Sequence, residues 1–337
     1  MLELFDEFRN ALDNAMLCAM HSRIVLYGYG YTGKFLKWYA DYYHSIKVDY
    51  IVSLDMRFGQ NYELEIFRKS LFDFDYKDVK NAIVWVAEPM DEGIEAFLEE
   101  KGYQRDISYF DFYKLTYGED VIEKEGGGVD VFNKRKTGQR DIQFLEWLEW
   151  KYQCNFVTAI NRKDLEIAGE HGASYRVTTQ KEIFPILDKC HCVPTANDAI
   201  FDYGCGKGGA MISFLDYGFQ RVGGVEYETK IYNILMDNMS KLQLAGELEC
   251  INKDAAEVNK ELDHYNWFYF FQPFDETIFR KCIDAICKSL ERHKRKIHII
   301  SIAPQSYFCM EEKECLRLTN QFTIDSRQRV VDVFENY

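Results

Sequence analysis

The stretch Ala199-Ile200-Phe201-Asp202-Tyr203-Gly204-Cys205-Gly206-Lys207-Gly208-Gly209 decides how this chain folds. Three apolar residues run into an acid, and glycines then alternate at 204, 206 and 208 before a further apolar-periodic segment. The pattern predicts a buried strand, a tight loop and a helix. Glycines there tolerate positive φ and let a ligand lie on the backbone, while the helix that follows offers unpaired N–H groups. The spacing is D-x-G-x-G-x-G, whereas a dinucleotide fingerprint spaces its glycines G-x-G-x-x-G and seats a pyrophosphate.

Working outward toward the C-terminus, strands arrive at regular intervals. Arg221-Val222-Gly223-Gly224-Val225-Glu226 ends in a carboxylate, an acceptor-only group suited to the two hydroxyls of a ribose. Leu248-Glu249-Cys250-Ile251 is followed by Asp254-Ala255, where a carboxylate could accept from an adenine amino group. Trp267-Phe268-Tyr269-Phe270-Phe271 is almost wholly apolar, as a central parallel strand covered on both faces should be. It leads into Gln272-Pro273-Phe274-Asp275, at the sheet edge where α/β proteins bind ligands. Strands over 297–302 and 329–334 complete the half. With Asp202 and these acids, the glycine spacing suits an amino-acid-bearing sulfonium nucleoside better than a dinucleotide.

The N-terminal half repeats the theme. A strand over 23–27 runs into Gly28-Tyr29-Gly30-Tyr31-Thr32-Gly33 and a helix over 32–43, and a second strand over 48–55 ends at Asp55. Gly28, Gly30, Gly33 and an acid about 20 positions on meet the dinucleotide fingerprint and mark a second candidate nucleotide site. A strand over 82–87 and a helix over 94–101 stopped by Gly102 continue a small doubly wound sheet. The periodicity then lapses around Gly126-Gly127-Gly128. The expected organisation is α/β, with two Rossmann-like doubly wound domains: 1–118, a linker at 119–140, and 141–337. Helices are expected over 142–152 and 180–189.

Composition narrows the function classes. A chain of 337 residues with 47% hydrophobic and 16% aromatic content and 5 prolines can build two packed cores. Its net charge of −14 disfavours a polyanionic partner, so no nucleic acid is expected. The one basic run, Arg292-His293-Lys294-Arg295-Lys296, reads as the solvated C-terminal end of a helix. The acidic start lacks a basic, then apolar, leader, and no apolar run reaches membrane-spanning length, so the expectation is a cytoplasmic protein with no membrane partner. The 10 cysteines then read as reduced thiols, and Cys190-His191-Cys192 falls short of a metal site.

From about Tyr152 onward the chain resembles the bacterial class I S-adenosylmethionine-dependent methyltransferases, whose fourth strand usually ends in Tyr-Asn-Pro-Phe or Phe-Asn-Pro-Phe. The resemblance implies a seven-stranded sheet and S-adenosyl-L-methionine as cofactor. Asp202, Gly204, Gly206 and Gly208 would cradle the methionine part, Glu226 the ribose, and Asp254 with Ala255 the adenine. Gln272, Pro273 and Phe274 would face the methyl acceptor, with glutamine replacing the family's asparagine on a longer arm. Tyr175 and Thr178 resemble residues that lie near the methionine end, and Tyr175 is a candidate catalytic group. The N-terminal half resembles small Rossmann modules fused to bacterial glycan-modifying acyltransferases and methyltransferases, with Gly33-Lys34 matching their Gly-Lys.

The expected function is methyl transfer to a small molecule, a sugar or glycan precursor being suggested by the N-terminal module. A protein lysine or other amine acceptor and a nucleotide-binding scaffold without turnover stand as alternatives, and an NAD-linked oxidoreductase as a third. Methyl transfer is an in-line displacement that needs alignment, desolvation and an outlet for a proton, with no metal requirement. Asp275, Tyr175 and His171 are the candidate bases. The oligomeric state is not legible.

Overall fold

In both halves the strand ahead of the first glycine, Ile24–Tyr27 or Ala199–Tyr203, is fully buried and lies inside its sheet with a parallel neighbour on each side. In the computed structural model the described residues are 3–53, 66–67, 82–90, 92–117, 143–161, 164–165, 174–244, 246–302, 307–324 and 329–337. They fall into two units, Glu3–Lys151 and Tyr152–Tyr337. The segment expected as a linker, 119–140, lies outside the described residues, as do Asp55 and His171.

The first unit is built on β1 (Ile24–Tyr27), every residue of which is buried. Its sheet runs in the order β3 (Ile66–Phe67), β2 (Tyr50–Val52), β1, β4 (Ile83–Val86), β5 (Tyr109–Asp111). All neighbours are parallel. One face packs Val25, Val52, Val84 and Val86 against Ile94 and Leu98 of α3 (Glu92–Glu100). Helices α1 (Glu3–Leu17) and α2 (Tyr31–His44) meet through Phe8 and Phe35, ring centroids 6.1 Å apart. A short α4 (Phe112–Tyr117) follows β5. Helix α5 (Gln143–Tyr152) sets Phe144 and Trp147 on Phe8, at 5.5 and 5.2 Å, so its aromatic face belongs to the first core.

The second unit carries a seven-stranded sheet in the order β11 (Leu316–Ile324), β12 (Arg329–Asn336), β10 (His298–Ile302), β9 (Trp267–Phe271), β6 (Ala199–Tyr203), β7 (Arg221–Glu226), β8 (Glu249–Asn252). Strand β12 runs antiparallel to both of its neighbours, β11 and β10, while β10, β9, β6, β7 and β8 are mutually parallel. Helices α6 (Gln180–Lys189), α7 (Gly209–Tyr217), α8 (Thr229–Lys241) and α9 (Glu276–Arg292) intervene, and α10 (Tyr307–Glu311) follows β10. Because side chains alternate along a strand, Phe201 and Tyr203 of β6 join Phe268, Phe270 and the α9 residues Phe279 and Ile283 in one core. On the opposite face α7 presents Phe214 to Tyr269, 5.1 Å between ring centroids.

One feature departs from the sequence expectation. The basic run 292–296 is not merely a solvated helix end: the half-buried Arg295 donates to the carbonyls of Tyr265 at 2.6 Å and Leu262 at 2.8 Å, tying α9 to the turn before β9. Arg292, the last residue of α9, pairs with Asp263 at 2.7 Å and holds that carboxyl down at about 2. Among the described residues no helix is long and apolar enough to cross a membrane.

Candidate functional site

The chain lays β7 and β8 on one side of β6 and then crosses to place β9 and β10 on the other. Such a reversal opens a crevice beyond the carboxyl ends of the two strands that flank it. Here those ends carry the glycine loop after β6 and Gln272-Pro273-Phe274 after β9, so the two motifs singled out in the sequence meet at one place.

The glycine loop is anchored to β7. Gly204 and Cys205 both donate to the Val225 carbonyl at 3.0 Å, and Gly208 closes back onto Cys205 at 3.0 Å. The Gly206 N–H donates to Glu226 Oε2 at 3.0 Å, while Oε1 accepts from Glu228 N at 2.8 Å. Glu226, at the end of β7, is therefore fixed against the loop by two backbone donors. The close packing explains two glycines. A Cβ at Gly204 would come within 2.5 Å of Pro273, so the two motifs touch there. At Gly206, whose φ is +57°, a Cβ would strike the Tyr175 ring at 2.5 Å. A side chain at 206 thus meets Tyr175 first, rather than the ligand space to which the sequence assigned it.

The electrostatics are acidic. Asp202 is 3% exposed and its carboxyl is pushed up to about 8, chiefly by burial and further by the nearby Glu226 charge. Burial raises Glu226 as well, against the lowering effect of its backbone donors Glu228, Gly206 and Tyr227. Glu228 is buried and caps α8 by accepting from Lys230 N. The one basic side chain of the loop, Lys207, is turned the other way. Its Nζ donates to Asn155 Oδ1 at 2.7 Å and to the Thr158 carbonyl at 2.8 Å, and sits 5.0 Å over the Tyr175 ring. Asn238 of α8 completes this knot, donating to the carbonyls of Asn155 and Lys207 at 3.0 and 3.1 Å.

The other expected site residues are distributed as follows. Tyr175 donates its hydroxyl to the Phe156 carbonyl at 2.6 Å, which makes it a strut over the glycine loop with its proton committed. Asp254 caps the short turn Ala255–Glu257 through Ala256 N at 2.9 Å, and Ala255 points its methyl into the α9 core. Gln272 is exposed with φ +44°, a left-handed conformation unusual for a residue with a Cβ. Phe274 lies edge-on to Tyr203 and Phe270, at 6.5 and 6.3 Å. Asp275 accepts from Thr277 N and Ile278 N as the N-cap of α9, a structural use for one of the candidate bases. The sequence reading did not single out Lys207, Asn155 and Asn238, nor Tyr227, half exposed immediately after Glu226. A lysine inside a glycine loop was the available signal for the first.

The second glycine loop, in the first unit, also lies at a strand-order reversal, between β1 and β4. Gly28 has φ +92°, a Cβ at Gly33 would lie 2.0 Å from the Gly28 carbonyl oxygen, and the space beside Gly30 is open. Glu88, just past β4, lies against Gly28, and its Oε1 accepts from Ser53 Oγ at 3.4 Å. Lys34 Nζ sits 5.7 Å over the Tyr29 ring.

No protein-family model matches the chain, and no curated protein matches it in sequence. Among solved structures it is similar to an RNA methyltransferase from Salinibacter ruber in complex with S-adenosyl-L-homocysteine, at 13% identity over 47% of this chain and 92% of that one, TM-score 0.37. It is similar to a ribosomal protein L11 methylase from Lactobacillus delbrueckii subsp. bulgaricus, at 10% identity over 45% and 75%, TM-score 0.35. It is also similar to the mitomycin 7-O-methyltransferase MmcR, at 14% identity over 42% and 49%, TM-score 0.34.

Proposed function

We propose that the second unit binds S-adenosyl-L-methionine and transfers its methyl group to a small-molecule acceptor, a sugar or glycan precursor being the acceptor class the N-terminal module suggests. The observation that carries this reading is the Glu226 carboxylate held on the Gly206 N–H at 3.0 Å, with the buried Asp202 within electrostatic reach. A loop that faces the Glu226 carboxylate and an ionisable buried acid, with its lysine turned away, suits a ligand bearing a ribose diol and positive charge better than a pyrophosphate.

S-adenosyl-L-methionine would supply a methyl group already activated by its sulfonium. The protein's part is to hold and orient. Glu226 has lone pairs left for the ribose hydroxyls, Tyr227 offers an exposed ring beside them, and the buried Asp202, protonated before a ligand binds, places negative charge beneath the loop once a cationic ligand expels its proton. Pro273 fixes the acceptor-side motif against Gly204, leaving Gln272 exposed at the mouth. The left-handed Gln272 supports the reading in which its amide meets the acceptor, since strained backbone clusters at working sites. The chain's net charge of −14 favours a small acceptor over a polyanion.

Calorimetry of the full chain with S-adenosylhomocysteine, NAD and a UDP-sugar tests the proposal. Binding of S-adenosylhomocysteine with a Kd of about 100 μM or tighter is expected, roughly 5 to 6 kcal/mol. Glu226→Ala should weaken it by about 1 to 3 kcal/mol. No heat at millimolar ligand from a chain that melts cooperatively would refute the assignment.

A further inference from the structure

Along α9 the helix carries Arg280, Asp284 and Cys287 at i, i+4 and i+7, a spacing that lines one face. The turn between α10 and β11 answers rung by rung. Arg280 pairs with Glu312, Asp284 with Lys313, and Cys287 with Cys315, the two sulfurs 3.0 Å apart with one thiol donating to the other. Both cysteines are half-buried, so a small reagent can reach them, while Cys282 on the same helix and Cys309 on α10 are buried. The sequence reading took the 10 cysteines as reduced thiols, and residues 287 and 315 have no motif spacing that marks a pair.

We propose that Cys287 and Cys315 form a reversible disulfide by exchange with a low-molecular-weight disulfide, stapling the turn after α10 onto α9. The sulfurs need to approach by only about 1 Å to reach bonding distance, and the two ion pairs already hold the partners in register. Cys315 is the entry thiol. Burial and the adjoining Cys315 thiol push Cys287 up, which suits it to the second, intramolecular step. In the first step the Cys315 thiolate attacks the small disulfide, forming a mixed disulfide and expelling one small thiolate. In the second, Cys287 gives its proton to solvent and attacks the Cys315 sulfur, expelling the other. Two protein thiols are oxidised, one small disulfide is reduced to two thiols, and nothing remains attached. Because α9 starts directly after Gln272-Pro273-Phe274, and α10 follows β10, the staple would bind together two elements that rise from neighbouring strand ends.

The test uses the full chain in glutathione buffers, quenched with N-ethylmaleimide and mapped with trypsin. Peptides 282–288 and 314–317 should appear joined, two hydrogens lighter than their sum, with fragment ions assigning the link to Cys287 rather than Cys282. The linked fraction should rise with the ratio of oxidised to reduced glutathione and return to zero with dithiothreitol. Linking should also raise Tm by about 5 °C, since the closed loop restricts the unfolded chain, and Cys315→Ala should abolish both effects. If both cysteines still take N-ethylmaleimide in fully oxidised glutathione, or each carries its own glutathione, the pair is only a packing contact and the proposal is overturned. None of these readouts depends on the methyltransferase reading.

Discussion

At the scale of single residues, the buried acid Asp202 makes the sharpest statement. With its carboxyl pushed up to about 8, it keeps a proton at neutral pH that the unfolded chain has already released. The sign follows: between about pH 4 and pH 8 this group makes stability fall as pH rises, after which its contribution is flat. A cationic ligand favours the carboxylate, so its binding expels the proton. From pH 6 to 7.5 affinity for S-adenosylmethionine should therefore climb, by at most tenfold per unit, and calorimetry in buffers of different ionisation heat should register proton release. Asp202→Asn should remove both effects, and an affinity flat across that range in the native chain would count against the coupling. Lys207 makes a second residue-level prediction. Lys207→Met leaves Asn155 Oδ1 and the Thr158 carbonyl without their donor, at a cost of about 1 to 3 kcal/mol in urea unfolding, with amide exchange at 155–158 accelerated.

Among the elements, α9 is the one whose ends both have visible work. Its first turn is capped by Asp275, which accepts from Thr277 N at 3.0 Å and Ile278 N at 3.3 Å, directly after the acceptor-side motif. Asp275→Ala should destabilise the second unit by about 1 to 2 kcal/mol, read as a lower urea midpoint at unchanged m-value. If Asp275 were instead only a base, the midpoint would stay put. Element by element, the long apolar runs were legible and the short or irregular ones were not. Strands β6, β7, β9 and β10 stand within a residue or two of where periodicity puts them. Strands β3 and β5, two and three residues long, are shorter than any window in which period 2 can be recognised. Strand β11, which the sequence analysis did not single out, alternates between half-buried and exposed residues, and a bulge between Leu318 and Asn320 breaks its register with β12.

For the whole molecule, two sheets with separate cores mean that a nucleoside bound at the Gly204–Gly208 loop should be registered in the second unit. Hydrogen exchange of the full chain with and without S-adenosylhomocysteine is expected to show protection centred on 202–208 and 225–228, with β1 and β4 unchanged. Protection at Gly28–Gly33 instead would move the nucleoside site to the first unit. The first unit's own loop has the backbone of a phosphate seat, yet Glu88 lies against Gly28 within it. That carboxylate sits at the strand-order reversal where an anionic ligand would have to approach, and no sequence motif announced it.

What the sequence determined by itself is what local chemistry enforces. Apolar runs make buried strands, glycines at 204, 206 and 208 make a loop that side chains cannot replace, and an acid at the end of β7 stands where its strand must end. Those features need only neighbours along the chain. The tertiary structure decided everything that depends on which distant atoms share a surface. It turned Lys207 away from the crevice toward Asn155 and Thr158, committed the Tyr175 hydroxyl to Phe156, and made Asp254 and Asp275 caps. It also brought Cys287 to Cys315. Each of these side chains has several partners compatible with its type. Only the packing of helices on the sheet, which fixes who is within 3 Å of whom, selects among them.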